Sequence, residues 1–214
     1  MKRKTKRKTA LLLTLTLLIA LVSGCGKNEI TFSELFEEDV IIYCGSGSFE
    51  SFEGKEEKIE KIYVYDTDGT FFGVSQSSKQ LGDYAQMSDE ELIEDISPKP
   101  DKRIKERLST YKLNVNTDST GNSTSTESIL VKSTIVWRNG REDTGCSTLK
   151  FEKFVGHVTV YDSSYMMFEK YGRNGSVDYY LIRDTAKTKG KTVCFDAVGT
   201  EGIEVDKTAK EFFE

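Results

Sequence analysis

Three dipeptides set the strongest limit on how this chain can fold: Asp68-Gly69, Asn139-Gly140 and Asn174-Gly175, each flanked by strand-like residues. Asn and Asp tolerate positive φ and Gly adopts it without steric cost, so such pairs close hairpins and commit their flanks to antiparallel pairing. "EKIYVYDTDGTFFGVS" reads as two strands around the first, "SILVKSTIVWR" enters the second, and "SYMMFEKYGRNGSVDYYLIRD" spans the third. The last two turns share Arg-Asn-Gly, but their flanks do not match, so this is turn chemistry recurring and not an internal repeat. "DVIIYCGS" (residues 39–46) is a short apolar run suited to a buried strand, and "VGHVTVYD" and "KTVCFDAV" add two more.

Helical signals gather in one block. In "MSDEELIEDISPKP", Ser88 as N-cap and Glu91 three residues on form a capping box, Leu92, Ile93 and Ile96 share a face, and Pro98 stops the helix soon after Ile96. In "DKRIKERLSTYKL", Ile104, Leu108 and Tyr111 have helical spacing, and "DKTAKEFFE" reads as a short terminal helix. Residues 116–128 are polar and rich in Gly, Ser and Thr, which predicts a loop or a long exposed hairpin tip. Asn122-Ser123-Thr124 within it matches a glycosylation sequon by chance. The expected class is α+β, a largely antiparallel β-sheet with a few short helices, and a β-sandwich-like arrangement is the alternative.

The N-terminus carries a different kind of information. "MKRKTKRKTA" holds six cations and no acid, and the apolar stretch from Ala10 to Val22 is 13 residues long. That length suits a signal-peptide core and falls short of the roughly 20 residues a bilayer span needs. The run ends in Leu21-Val22-Ser23-Gly24-Cys25. This resembles the lipobox of bacterial lipoproteins, and the chain is similar in length and style to small lipoproteins of Gram-positive bacteria. The resemblance implies a diacylglyceryl group on the sulfur of Cys25 and cleavage by signal peptidase II between Gly24 and Cys25. It divides the chain into a signal peptide (1–24), a lipidated tether (25–32) and a single extracytoplasmic domain (33–214). The implied address is the extracytoplasmic side of the cell membrane.

Loss of the leader removes six of the 30 cations and leaves 24 against 35 acidic residues, a net charge of −11. An acidic domain is repelled by an anionic membrane surface, so the membrane partnership rests on the lipid. One acyl chain holds a protein only marginally at about 0.8 kcal/mol per buried CH₂, and two or more make release negligible. The same charge argues against nucleic acid as partner. It also disfavours anionic wall polymers, unless a local basic patch overrides the total. The mature length suits one domain, or at most two small ones, with a real core, and a monomer is expected.

Candidate chemistry is sparse. The sole histidine, His157, shares a strand face with Thr159 and Tyr161, opposite Val158 and Val160, so it is expected to face solvent. A His-based zinc site or a Ser-His-Asp triad would have to pass through it. Asp66-Thr67-Asp68-Gly69 starts like a calcium loop, but position twelve is Ser77 where a Glu is needed. "GSGS" (45–48) lacks both the G-x-S-x-G spacing and the Lys-Ser/Thr of a phosphate loop, and reads as a strand exit. The acid clusters at 37–39 and 89–91 read as solvated. Of Cys44, Cys146 and Cys194, any two could pair in an exported domain, with one thiol left over and no preferred partner. No catalytic residue, metal or cofactor is expected.

Two functional classes remain. The first is a non-catalytic, membrane-anchored binding or interaction module that meets an envelope protein or ligand. The second is a carboxylate-dependent envelope enzyme such as a glycan-processing hydrolase, which would need two carboxyl groups in one cleft.

Overall fold

The structure, a computed structural model, describes residues 28–213 except 66, 68–70, 76–78, 98–100 and 173. In chain order its elements are β1 (Glu29–Thr31), α1 (Phe32–Leu35), β2 (Val40–Ser46), β3 (Lys61–Tyr65), β4 (Phe71–Ser75), α2 (Leu81–Ala85), α3 (Asp89–Ile96), β5 (Ile104–Thr117), β6 (Ser123–Trp137), β7 (Glu142–Phe151), β8 (Lys153–Val160), β9 (Ser163–Tyr171), β10 (Val177–Arg183), β11 (Thr192–Cys194), β12 (Glu204–Val205) and α4 (Ala209–Phe213). They build a six-stranded sheet in the order β4-β3-β2-β10-β9-β8, antiparallel throughout, and a four-stranded sheet in the order β12-β5-β6-β7. A parallel pair, β1-β11, adds a small third sheet. The architecture is α+β with mostly antiparallel sheets, as the turn signals require.

The central strands β2, β9 and β10 of the six-stranded sheet are covered on both faces, which is why they read as continuous apolar runs and not as alternating ones. On one face Ile42, Cys44, Met166, Phe168, Tyr180 and Ile182 pack with Ile129, Val131, Leu149 and Phe151 of the second sheet. On the other face Tyr43, Tyr165, Met167, Tyr179 and Leu181 pack against Leu81, Tyr84, Leu92 and Ile96 of α2 and α3. Gly45 belongs to this packing: a Cβ there would stand 2.0 Å from the Tyr179 hydroxyl oxygen, so the ring lies directly over the glycine. "GSGS" is therefore partly strand, and its first glycine makes room for an aromatic ring.

The Asn139-Gly140 and Asn174-Gly175 turns close as expected. Gly140 (φ 85) and Gly175 (φ 79) are left-handed, and Trp137 N–H donates to Arg141 O, as Gly172 N–H does to Ser176 O. Asp68-Gly69 lies outside the described residues, although β3 and β4 on either side of it pair antiparallel. Ser88 and Glu91 form the capping box of α3, and Ala209–Phe213 is the terminal helix. The polar stretch becomes a five-residue turn at 118–122 with strand on each side, Asp118 Oδ1 accepting from the Thr120 and Asn122 amides.

Three segments depart from expectation. The helix expected in "DKRIKERLSTYKL" is the 14-residue strand β5. Its helical spacing is accidental: Tyr111 pairs with Val131 across the sheet and stacks 4.0 Å from Tyr65, and Val115 is fully buried. "KTVCFDAV" yields only three strand residues. The expected tether at 25–32 is part of the fold from residue 29 on: Glu29–Thr31 pair with Thr192–Cys194, and Ile30 and Phe32 are in the core.

Candidate functional site

Gly24 and Cys25, the expected cleavage and lipid-attachment positions, lie outside the described residues. The place where the chain enters the domain is well defined. Ser33 donates from both its amide (2.8 Å) and its hydroxyl (2.7 Å) to the two carboxylate oxygens of Asp196. The Asp196 carbonyl in turn accepts from Ser123 Oγ at 2.9 Å, and its amide donates to Glu127. These links seat the N-terminal entry beside the 118–122 turn of the β5–β6 hairpin.

Towards the opposite end of that hairpin the β5–β6–β7 sheet becomes solvent-exposed. Below Val131 it is core, with Ile129, Leu149 and Phe151 buried. Above, Lys105 to Leu108 and Thr144 to Thr148 are exposed at consecutive positions, so the sheet is open on both faces beyond α4, which packs against β6 and β7 where Lys132 meets Phe213. From Glu127 to Trp137 the strand runs ten residues, about 33 Å. Among the described residues the β7 edge of this blade has no neighbouring strand. Cys146 sits exposed on β7, whereas Cys44 is buried in β2 and Cys194 is half-buried; all three are free thiols. Burial raises the Cys44 thiol far above its ordinary range, which makes it an inert small hydrophobe.

His157 is not solvent-facing. Its face assignment holds, since Val160 is buried on the other side, but the His157 face is also covered, by Phe154 and by the segment leading into β11. Its Nδ1 lies 2.8 Å from Asp184 Oδ2 and its Nε2 2.7 Å from the Lys191 carbonyl. Ser164 Oγ donates to the same Asp184 oxygen at 2.5 Å, and Thr188 Oγ1 to the other at 3.1 Å. A Ser-His-Asp catalytic relay needs serine on the histidine nitrogen that faces away from the acid. Here serine and histidine are both spokes on Asp184, and a carbonyl occupies the second ring nitrogen. The cluster fastens β8 and β9 to the 184–191 loop. His157→Ala is expected to lower stability by roughly 1–3 kcal/mol, the cost of losing the ring's two hydrogen bonds to Asp184 and the Lys191 carbonyl. A urea midpoint indistinguishable from that of the unmodified chain would refute this role.

The paired carboxyl groups that a hydrolase would need do occur, as Glu127 and Asp196, but they are sealed in the interior at 0% and 3% exposure. Burial, and secondly the Asp196 charge, push the Glu127 carboxyl up to about 9. Glu127 Oε2 has no hydrogen-bond partner. Sequence reasoning missed this pair because Glu127 sits inside the polar stretch read as a loop, and nothing in the local pattern marks it as buried.

The surface concavities are of other kinds. A groove of about 260 Å³ between β7 and the six-stranded sheet is lined by Lys61, Tyr63, Ser147, Lys170, Asp178 and Tyr180. A broad depression between α2 and α3 is lined by Lys79, Asp83, Glu91, Glu94 and Asp95, with Lys79 and Asp95 paired at 2.6 Å. Among the described residues no group of three or more His, Cys, Asp or Glu side chains is placed to hold a metal ion. Nor is any of their helices long and apolar enough to cross a membrane. No family model matches the chain, and neither the curated proteins nor the solved structures yield a match.

Proposed function

We propose that the chain is a bacterial lipoprotein, anchored through Cys25 on the extracytoplasmic side of the cell membrane, and that its domain is a non-catalytic binding module. The observation that carries this reading is the opposed placement of the entry point and the blade. A lipid on Cys25, four residues before β1, holds the 118–122 end at the membrane and directs the open β5–β6–β7 blade outward. An exposed sheet with an unpaired edge is a surface suited to recognition. The internal chemistry supports the same reading, because His157 is wired into a structural cluster and Glu127–Asp196 is closed to any substrate.

The anchor is tested through its sulfur. A thiolate is the nucleophile that accepts the diacylglyceryl group, and a hydroxyl does not replace it. Cys25→Ser should abolish incorporation of a fatty-acid analogue in cells and leave a larger, unprocessed precursor. Equal labelling of the Ser variant, or no labelling of the unmodified chain, would overturn the proposal.

A further inference from the structure

The outer end of the blade carries a charge pattern opposite to the rest of the mature chain. Within residues 101–107 and 137–143 stand six cations, Lys102, Arg103, Lys105, Arg107, Arg138 and Arg141, against four carboxylates. All six cations are exposed. Two of them build a platform: Arg103 holds Asp101 at 2.8 Å, Arg141 holds Asp143 at 2.5 Å, and their guanidinium groups lie 5.9 and 5.4 Å from the centre of the Trp137 ring. Trp137 Nε1 donates to Asp143 at 2.7 Å and fixes the ring between them. The other four enter no ion pair among the described residues.

From this arrangement we infer that the blade tip is a docking site for a linear phosphodiester polyanion of the cell wall. The inference rests on the anchored-module reading and supplies the ligand class it leaves open. Mature net charge does not oppose it, because distance decides: charges are screened over about 8 Å at physiological ionic strength, whereas the tip stands about 33 Å from the Glu127 level. A polyanion at the tip meets the local cations and not the acidic body. The body matters in another way, since it repels side-on approach and leaves the tip as the favourable contact. Anionic lipid headgroups are the poorer match, because the tip points away from the anchored end and lies several screening lengths beyond it. Lys102, Lys105, Arg107 and Arg138 supply the unpaired charge, and the Arg103–Trp137–Arg141 platform keeps the turn rigid.

Trp137 is the sole tryptophan, so its emission reports events at the tip directly. The full chain in neutral detergent would be titrated with poly(glycerol phosphate) chains while Trp emission is followed. Saturable quenching or shift that disappears in high salt is expected. A variant carrying Lys102→Glu, Lys105→Glu, Arg107→Glu and Arg138→Glu should bind at least about tenfold more weakly, with unchanged circular dichroism. A control with Lys55→Glu, Lys58→Glu, Lys189→Glu and Lys207→Glu, all on the body, should retain most of the affinity. No binding, binding without a Trp response, equal loss in the control, or tighter binding to phosphatidylglycerol vesicles than to the polymer would each overturn the inference. The assay uses purified chain and free polymer, so its failure leaves the anchor proposal standing. A failed fatty-acid label likewise leaves the binding result standing.

Discussion

Glu127→Gln is expected to stabilise the domain at neutral and alkaline pH and to flatten its stability against pH. The Glu127 carboxyl is raised from the ordinary 4.5 to about 9 in the folded chain, first by burial and then by the Asp196 charge. Between these values the folded state keeps a proton that the unfolded chain has released. Stability is therefore fully present below about pH 4.5, falls as pH rises through the window, and levels off above about 9. At pH 7 the loss is on the order of 3 kcal/mol, from about 1.4 kcal/mol per unit of displacement. Gln keeps the shape and the acceptor for the Asp196 amide but has no proton to lose. Urea midpoints at pH 5, 7 and 9 for both chains make the comparison, and their difference cancels other titrating groups. A pH-independent difference between the two would show that Glu127 is not the group responsible. Glu127→Leu is the informative companion: it also removes the charge but strands the Asp196 N–H, and it should cost about 1–3 kcal/mol relative to Gln.

The pair has a structural consequence beyond the pH profile. Asp196 takes two hydrogen bonds from Ser33 while its own amide is tied to Glu127, so one residue joins the N-terminal entry to strand β6. Ionising Glu127 places two carboxylates against each other at this junction. Alkalinisation therefore weakens the junction between the N-terminal entry and β6.

How much of this was readable in the sequence follows from what each segment packs against. β2 and the β9–β10 hairpin were legible because burial on both faces demands unbroken apolar runs, and Gly175 gave the turn. The capping box of α3 was legible because Ser88 and Glu91 bond each other's backbone, which is local chemistry. β5 was not legible. Its outer half is exposed on both faces and reads as Lys/Arg/Glu-rich sequence, which any exposed helix would share; only cross-strand pairing with β6, about 24 to 33 residues away, decides for a strand. His157 was assigned to the right face of β8, but the covering segment comes from residues 184–191, and no periodicity within β8 carries that information. The candidate binding tip divides in the same way. Its cations were visible as residues, yet their gathering at one end depends on the β5–β6 register that brings Ile104 opposite Trp137.

Phe32 is the sharpest case of tertiary context overruling local appearance, and its removal should have the largest effect of any single core truncation near the entry point. It follows a polar, Gly-containing segment and opens a helix of one turn, so the sequence offers it as the end of a tether. In the structure it is fully buried, with its ring 4.8 Å from Phe151, 5.1 Å from Phe36, and 5.9 Å from both Phe168 and Phe195. These partners come from α1's own end, β7, β9 and the segment after β11, so one side chain holds four parts of the chain together. Phe32→Ala removes the apolar surface and leaves a cavity that four aromatic neighbours cannot readily fill. The expected cost is about 3–5 kcal/mol, a large share of the 5–15 kcal/mol that holds a typical domain folded. Phe32→Leu retains most of the volume and should cost less than half as much. Thermal or urea unfolding of the three chains settles the ranking. Were Phe32 only a spacer, all three would unfold together. The expected loss instead means that the start of α1 is part of the core, so the lipid proposed on Cys25 would stand only a few residues from the packed domain.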